Sequence, residues 1–423
     1  MVKRHAFFRI SVSIVLIVTA LSAALTACSM RLKGTGKVTV ASQAPDPMLL
    51  IAAKGIGVEL QEVRHREYWL QRYKADLEAA SPADLYTVDW GRELFTIAPP
   101  ADDKGLLRVW ARTAYAKAAP QWLNKMEIGP LRGFYPTSVY IWGLFYNQQV
   151  LEKLGVDEPS TLGEFEALLS KAKTAGFVPI SLGSAYGWPG AAWFTMLDLR
   201  MNGADAVRER YGLTRTWDDP TGKTVAKRLS AWRDAGYFSL NASRTGMDES
   251  LGEVGSGQAL CTLMGAFAQE RFGDLSKIRF TAFPPVEGVS GTTNGEIAGI
   301  SGFFKPLSVQ GKKAQAALAL VDAYLMASGG ADDRYKLPLR ALATGNQGTT
   351  ASGIQLNTIQ ATQAAALKRA STVVSAFDRT VSSQAMQNTI PLWAAFFSPG
   401  GMSGDAFATA LASAISAGEK KTP

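Results

Sequence analysis

The amino-acid sequence predicts an α/β protein built from two domains. Predicted strands alternate with predicted helices along most of the chain, which is typical of α/β layers. The chain has 423 residues. A single hydrophobic core of ordinary size does not organise a chain of this length, so two domains are expected. No repeat of solenoid period is visible in the sequence.

The first 27 residues are predicted to be an export signal. Lys3, Arg4 and Arg9 accompany the start of an apolar run, and Ile10–Thr26 carries no charge and ends in small residues, as such signals do. The run is slightly short of the ~20 residues that a membrane-spanning helix needs. An uncleaved anchor helix is the alternative. Either interpretation places the rest of the chain outside the cytoplasmic membrane.

The end of this segment, Leu25-Thr26-Ala27-Cys28, resembles the lipobox of bacterial lipoproteins. The resemblance implies that a peptidase cuts before Cys28 and that Cys28 carries acyl chains. The protein is then expected to be anchored by lipid to the cell membrane, facing the periplasm or the cell exterior. Residues 28–37 would form a flexible spacer.

The charge of the chain does not indicate a nucleic-acid partner. The sequence holds 44 basic and 36 acidic residues, and the signal segment removes three of the basic ones. The remaining excess of five positive charges is spread thinly, and no dense Lys/Arg run follows.

The residues that most catalytic and metal sites need are scarce. After residue 28 the chain has one histidine, His65, and one cysteine, Cys261. A nucleophile–histidine arrangement or a zinc site therefore lacks partners, and no phosphate-binding glycine motif occurs. We expect no enzyme, cofactor or metal. The alternative that stays open is a glycoside hydrolase, which would need two acidic residues that converge in space. Cys261 has apolar neighbours and is expected to be a small buried hydrophobe.

The first two predicted strands, "VTVAS" and "VELQEV", are joined by a connection that contains Pro45 and Pro47. These prolines are predicted to allow at most a short helical turn from Met48. A charged amphipathic helix over 65–80 and a strand, "ADLYTVD", follow.

Helix–strand alternation continues in the second half of the chain. Thr161 to Glu164 predicts a capping box for the helix "STLGEFEALLSKAKTAG", which leads into the strand "FVPISLG". A second helix has Val225, Leu229 and Trp232 on one face, and "SVQGKKAQAALALVDAYLMASGG" predicts a third.

Residues 140–183 resemble the family 1 extracellular solute-binding proteins of ABC importers, the group that includes maltose-binding protein. The resemblance lies in Phe145-Tyr146-Asn147, a short helix ending at Gly155, and Pro159-Ser160-Thr161 followed by Glu164-Phe165. The segments "GEVGSGQALCTLMGAF", "NGEIAGISGFFKPLSVQGKKAQAALALVDAYL" and "LPLRALAT" match later family elements in the expected order.

The resemblance implies a two-lobed periplasmic-binding-protein fold of type II, with a hinge and an interlobe cleft. Lobe one would be 38–142 plus 300–337, and lobe two 143–299 plus 338–423. A small hydroxylated solute, most simply a sugar, would be captured by hinge closure and delivered to ABC permease subunits in the membrane. We expect a monomer. A surface adhesin or sensor that reuses the fold is the alternative, for which the shortened first connection would be the sign.

Sugars present apolar C–H faces and hydroxyl groups, so a sugar site needs aromatic platforms beside carboxylates or amides. Asp89-Trp90 and Tyr186 with Trp188 each follow a predicted strand, where open α/β sheets bind ligands. The resemblance adds Phe267 and Trp393, which lie near aromatic elements of the family. The candidate ligand-binding residues are Asp89, Trp90, Tyr186, Trp188, Phe267 and Trp393.

The alternative for every aromatic residue is the hydrophobic core. Trp69, Phe165 and Trp232 fall at helical spacing and are assigned to packing. The turn Gly265-Ala266-Phe267 lacks the tryptophan that relatives commonly carry, which leaves a smaller or non-sugar solute open.

Overall fold

The computed structural model describes residues 37–43, 46–65, 69–91, 94, 97, 133–288, 295–327, 335–342 and 356–419. The predicted signal segment, Cys28 and the spacer up to residue 36 lie outside the described residues. Within the described ranges, no helix is long and apolar enough to cross a membrane.

The described strands are β1 Lys37–Ser42, β2 Glu59–Arg64, β3 Leu85–Asp89, β4 Phe134–Asn147, β5 Val178–Ile180, β6 Ala259–Gly265, β7 Ile278–Ala282, β8 Gly295–Phe304, β9 Leu337–Pro338 and β10 Thr372–Val374. The described α-helices are α1 Pro47–Ile56, α2 Trp69–Leu77, α3 Gln148–Leu154, α4 Leu162–Thr174, α5 Trp188–Tyr211, α6 Pro220–Asp234, α7 Met247–Gly255, α8 Gly311–Ala327, α9 Leu339–Leu342, α10 Thr358–Arg369, α11 Ser383–Phe397 and α12 Gly404–Glu419. Short 3₁₀ helices occupy Ala266–Arg271, Leu275–Lys277 and Phe377–Arg379.

The chain forms two compact units. Unit 1 takes the described residues of Met1–Thr87 and Phe303–Ser328, and unit 2 those of Val88–Gly302 and Gly329–Pro423. The predicted lobes divide the chain at 142/143, whereas the units divide it at 87/88, so β4 belongs wholly to unit 2. The lobe boundaries therefore stay a prediction.

In unit 1, β1 lies parallel to β2 and to β3. Helices α1 and α8 pack against each other. The Tyr324 hydroxyl of α8 donates to the Asp46 carboxylate just before α1, over 2.7 Å. This hydrogen bond ties the start of α1 to a helix far along the chain.

The expectation of a short turn between β1 and β2 is wrong, because α1 is a full ten-residue helix. Proline is well tolerated in the first helical turn, where its missing N–H would have no partner. Pro47 takes that place, and the Asp46 side chain accepts from the N–H groups of Met48 and Leu49. Gly57 ends the helix in the left-handed conformation, φ 71°.

In unit 2, the long strand β4 is buried along its whole length. It pairs antiparallel with β6, with β7 and with the short strand β9. Strand β5 continues parallel to β6, and β10 lies parallel to β8. The apolar run that precedes Asn147 in the sequence is therefore the central strand of this unit.

Helix α5 carries two buried arginines that form ion pairs. Arg210 is fully buried and pairs with Asp198 at 2.9 Å and Asp219 at 2.9 Å. Arg200 pairs with Glu296 of β8 at 3.0 Å. A buried ion pair needs dense hydrogen bonding to offset its desolvation. Asp198 belongs to α5 itself, so the pairs that link α5 to other elements are Arg210–Asp219 and Arg200–Glu296.

The predicted start of α4 is confirmed, with one difference. The Thr161 hydroxyl accepts from the Glu164 N–H at 3.2 Å, as a helix cap does. The Glu164 carboxylate bonds to Ser160, one residue earlier than a capping box requires.

A buried group of aromatic rings, which we call the core cluster, lies in unit 2. The prediction that Phe165 and Trp232 pack in the core is confirmed, since they are 0% and 3% exposed. Trp193, also 0% exposed, lies 6.0 Å from Trp232 and 6.3 Å from Phe165 between ring centres. The members of the core cluster are Phe165, Trp193, Trp232, Phe238 and Phe283.

Candidate solute-binding site

A second group of rings in unit 2, which we call the aromatic wall, is only partly buried. Its inner row, Tyr140 and Trp142, is buried and comes from β4. Its outer row, Trp188, Phe267 and Tyr335, is half-buried. Residues two apart on a strand share a face of the sheet, so β4 presents Tyr140 and Trp142 side by side.

Every outer ring rests on the inner row by edge-to-face contact. Trp142 lies 5.8 Å from Trp188 and 6.0 Å from Phe267 between ring centres. Tyr140 lies 5.5 Å from Phe267 and 5.7 Å from Tyr335. Within the outer row, Phe267 is 6.5 Å from Trp188 and 6.4 Å from Tyr335. These separations fall in the favourable range for aromatic pairs.

Two glycines make room for the wall. A Cβ at Gly299 of β8 would lie 2.2 Å from Cζ of Tyr140, and a Cβ at Gly265 would lie 2.4 Å from the Phe267 ring. No side chain larger than hydrogen fits against these rings in their present positions. Glycine at these two positions therefore allows the rings to approach the strand backbone.

Each outer ring is held by the element that carries it. Trp188 is the first residue of α5, and Gly187 before it has φ 77°, a conformation that favours glycine. Phe267 stands in the 3₁₀ helix that follows β6 directly. The buried Gln363 side chain donates to the Tyr335 carbonyl at 2.8 Å and accepts from the Ile141 N–H at 3.0 Å. Tyr335 is thus tied to the strand segment that carries the inner row.

A polar group, Asp89 with Ser301 and Arg379, lies beside the wall. The Ser301 hydroxyl donates to Oδ1 of Asp89 at 2.6 Å, and Nη1 of Arg379 lies 3.7 Å from Oδ2. The Asp89 and Arg379 side chains are each 35% exposed. Both are therefore accessible to a solute.

The hydroxyl of Tyr140 connects the wall to this polar group electrostatically. Burial raises the pKa of Tyr140 above its ordinary value, with Arg379 lowering the pKa and Asp89 raising it. Gly299, against which the phenol packs, stands two residues before Ser301 in β8. The neutral Tyr140 phenol therefore sits at the end of the wall nearest the polar group.

The structure brings together three of the six predicted ligand-binding residues. Trp188 and Phe267 form part of the wall, and Asp89 anchors the polar group. Tyr186 is 65% exposed and belongs to no ring pair among the described residues.

Two predicted residues are buried instead. Trp393 is 0% exposed and packs 4.7 Å from Phe407 between ring centres. Trp90 is 7% exposed, and its backbone N–H donates to the Ile300 carbonyl at 2.7 Å. Both side chains are closed off from solvent and therefore lie outside the site.

Sequence reasoning missed Tyr140, Trp142 and Tyr335. The alternation of Tyr140 and Trp142 in "YIWG" indicates one shared face of a strand, and this signal was available. Tyr335 lies two residues before β9 and carries no comparable local signal.

The wall and polar group offer stacking surfaces and hydrogen-bonding groups. In the part of the chain that the structure describes, no group of His, Cys, Asp and Glu is placed to hold a metal ion. Cys261 is fully buried, as predicted, and burial raises the pKa of its thiol.

Comparison with known proteins identifies the family. Residues 48–331 match the model of the bacterial extracellular solute-binding proteins. The chain belongs to this family. The resemblance inferred from residues 140–183 is thereby confirmed, and the family is one of binding proteins.

Two curated proteins are similar over part of their length. An uncharacterized ABC transporter extracellular-binding protein of Pyrococcus horikoshii is 28% identical over 228 residues, covering 50% of this chain and 49% of that protein. A "Probable sugar-binding periplasmic protein" of Mesorhizobium japonicum is 31% identical over 143 residues, 33% of each chain. The aligned segments thus span half or less of these relatives.

Among solved structures, the bacterial solute receptor AcbH has a TM-score of 0.73 with 21% identity, covering 93% of this chain and 99% of that one. Its description gives an exclusive preference for β-D-galactopyranose. The likeness confirms the predicted fold class, the α/β fold of the two-lobed solute-binding proteins.

Proposed function

We propose that this protein captures a sugar outside the cytoplasmic membrane and delivers it to the membrane subunits of an ABC importer. The observation that carries the proposal is a row of three half-buried aromatic rings beside an accessible carboxylate. The named functions of the two curated relatives, one in ABC transport and one in sugar binding, support it.

The chemistry of the site suits a hydroxylated ring. The C–H face of a pyranose loses its contact with water when it stacks on an aromatic ring. Sugar hydroxyls donate to a carboxylate in charge-assisted hydrogen bonds. Ser301 holds one oxygen of Asp89, and this orients the carboxylate before the solute arrives. Capture needs no bond to be made or broken.

The adhesin or sensor alternative loses its basis. It depended on a shortened connection between β1 and β2, and that connection contains the full helix α1.

Binding is tested by titrating the purified full-length protein, in mild detergent, with a panel of neutral sugars and polyols. Thermal stabilisation and calorimetric heat are expected for at least one sugar, since a ligand that binds the folded state raises its stability by mass action. Trp188→Ala should weaken that binding, while Leu213→Ala, an exposed apolar truncation outside the wall, should not. Absence of any signal across the panel would overturn the proposal.

The proposed site of membrane attachment is Cys28. Acyl chains there would keep the protein close to its permease, and stable attachment needs more than one chain. Metabolic labelling with palmitate is expected in the wild type and should be lost in Cys28→Ala. An unlabelled wild type would favour the uncleaved anchor helix instead.

Closure of the two lobes around the solute is a further prediction. Small-angle scattering with and without sugar is the measurement that tests it.

A further inference from the structure

We infer that one edge of unit 1 binds the anionic phospholipid headgroups of the membrane to which the chain is attached. We call this surface the lysine edge. It consists of the exposed side chains of Lys37, Lys54, Leu307, Lys312 and Lys313. The inference goes beyond solute capture and rests on the proposed attachment at Cys28.

The lysine edge lies where the parallel strands of unit 1 begin. Strand β1 starts at Lys37, which is in register with Glu59 at the start of β2. Helix α1 connects the end of β1 to the start of β2. The last turn of α1, which carries Lys54, therefore lies at the edge where both strands start.

Helix α8 brings its first turn to the same edge. The Lys313 ammonium lies 3.9 Å from the Asp84 carboxylate. That carboxylate accepts from the N–H of Thr39 in β1 at 2.9 Å. Near its other end, α8 contacts the start of α1 through the Tyr324–Asp46 hydrogen bond. The two helices therefore run in opposite directions, and their lysine-bearing ends lie at one edge of the sheet.

Positive charge predominates at this edge. All the lysines that define it are exposed, and the Lys313 side chain is 64% exposed. The acidic residues beside them are Glu59, which is exposed, and Asp84, which is buried next to Lys313. Neither α1 nor the first turn of α8 contains an acidic residue.

The charges of α2 lie on the other face of the sheet. The strand order is β2-β1-β3, so the connections β1–α1–β2 and β2–α2–β3 cross the sheet in opposite directions. Because such connections are right-handed, α1 and α2 cover opposite faces. Lys74 and Glu78, at the end of α2, are therefore separated from the lysines of α1 and α8.

The stability of α8 does not account for its first two lysines. A cation in the first turn of a helix is repelled by the positive end of the helix dipole, and Lys312 and Lys313 both stand there. Leu307, in the loop that leads into α8, is 47% exposed. Exposed lysines beside an exposed leucine are the combination by which protein surfaces bind anionic membranes.

The proposed attachment keeps this edge close to the membrane. Nine residues, 28–36, separate the attachment point from the start of β1, and a chain of this length spans at most about 30 Å. These residues include Arg31 and Lys33 and no acidic residue. Lysines attracted to anionic headgroups therefore lie at the edge of unit 1 that the tether enters. Their attraction would supplement the acyl chains as a second membrane signal.

The test reconstitutes the full-length protein into vesicles of phosphatidylcholine, or of phosphatidylcholine and phosphatidylglycerol in equal amounts. Gln315→Cys carries a fluorophore on α8 beside the lysines. Gln71→Cys carries the same fluorophore in the first turn of α2, at the opposite edge, and is the matched control; both glutamines are exposed. Cys261 is buried and Cys28 is acylated in the proposed form, so the introduced cysteine takes the label.

Quenching by a lipid with a headgroup-bound quencher gives the ratio of docked to undocked molecules. At position 315 this ratio should be several-fold higher on the anionic vesicles than on the neutral ones. It should fall as salt is raised, because salt screens exposed charges. At position 71 quenching should stay low on both kinds of vesicle.

Charge variants identify the residues responsible. Lys312→Gln combined with Lys313→Gln should lower the ratio on anionic vesicles roughly 25-fold, since each lysine near such a surface contributes roughly fivefold. Lys153→Gln combined with Lys171→Gln makes the same charge change at exposed lysines of unit 2 and should leave the ratio near wild type. Lys54→Gln should lower it about fivefold and replaces the double variant of α8 if that does not fold.

The outcomes are distinct. Equal quenching on neutral and anionic vesicles, equal quenching at positions 71 and 315, or no response to the lysine variants overturns the inference. Calorimetry of the α8 double variant with sugar should give the wild-type affinity, so solute binding is judged separately. A wild type that does not float with neutral vesicles contradicts the proposed attachment. The lysine edge is then decided by flotation of unlabelled protein with anionic vesicles, which the wild type should show and the α8 double variant should lose.

Discussion

The core cluster and the aromatic wall are both groups of five aromatic side chains in unit 2, and both are dominated by edge-to-face contacts. They differ in exposure and in their neighbours. Trp193 of the core cluster is 0% exposed and surrounded by other rings. The outer row of the wall is half-buried and lies beside an accessible carboxylate.

This difference shows that ring geometry alone does not mark a binding site. Edge-to-face pairs contribute to stability in either place. A sugar needs rings that keep one face uncovered and that lie next to groups able to hydrogen-bond its hydroxyls. Truncation of a ring in the core cluster should therefore lower stability and leave affinity near wild type. Truncation of an outer ring of the wall should lower affinity and change stability little.

The largest effect is expected from the core cluster. Trp193→Ala removes the ring at its centre and should lower the free energy of unfolding by about 3–5 kcal/mol, because a large cavity replaces a buried indole. Urea denaturation followed by circular dichroism measures this. Sugar affinity of the folded variant at low temperature should stay near wild type; a large loss of affinity would contradict the separation of the two clusters.

Asp89→Asn should have the next largest effect, and on affinity. Loss of the charged acceptor should weaken sugar binding by about 1.5–3 kcal/mol, the range for hydrogen bonds to charged groups. Its partly exposed pairing with Arg379 contributes little to folding, so the melting temperature should barely move. Calorimetry and a thermal melt on the same sample test both halves, and unaltered affinity would remove Asp89 from the site.

Gly299→Ala tests the position of Tyr140. The added methyl group would meet the phenol ring at 2.2 Å and should displace it, at a cost of about 1–3 kcal/mol typical of overpacking. Binding should weaken together with stability, because the inner row supports the outer one.

Gly252→Ala is the matched control for this change. Nothing lies within 4 Å of a Cβ at Gly252, which stands inside α7. Stability there should rise slightly, since alanine favours a helix interior over glycine. If Gly299→Ala behaved like Gly252→Ala in both assays, the tight packing of Tyr140 would be refuted.

Trp188→Ala should have the smallest effect. Loss of one stacking contact weakens binding of the preferred sugar by roughly 1 kcal/mol or more, while stability changes far less than in Trp193→Ala. A quantitative comparison of the two tryptophan variants in the same denaturation and binding assays is the direct measurement. A stability loss as large as that of Trp193→Ala would return Trp188 to the core.

Much of the local structure followed from the sequence. Thr161 predicted the start of α4, and the spacing of Val225, Leu229 and Trp232 predicted the buried face of α6, all three being buried. Such features depend on neighbours within one or two helical turns. Pro47 shows the limit: the same residue type that breaks a helix interior starts a helix when Asp46 caps it.

The sequence by itself determined the family, the α/β class, the burial of Cys261 and the scarcity of residues for catalysis. Only the tertiary structure decided which aromatic rings face solvent. Trp188 and Trp393 were both predicted to bind the ligand. Trp188 joins the half-buried wall, whereas Trp393 is enclosed by Phe377, Phe397 and Phe407. Exposure is set by contacts between residues far apart in the chain, and no local pattern contains that information.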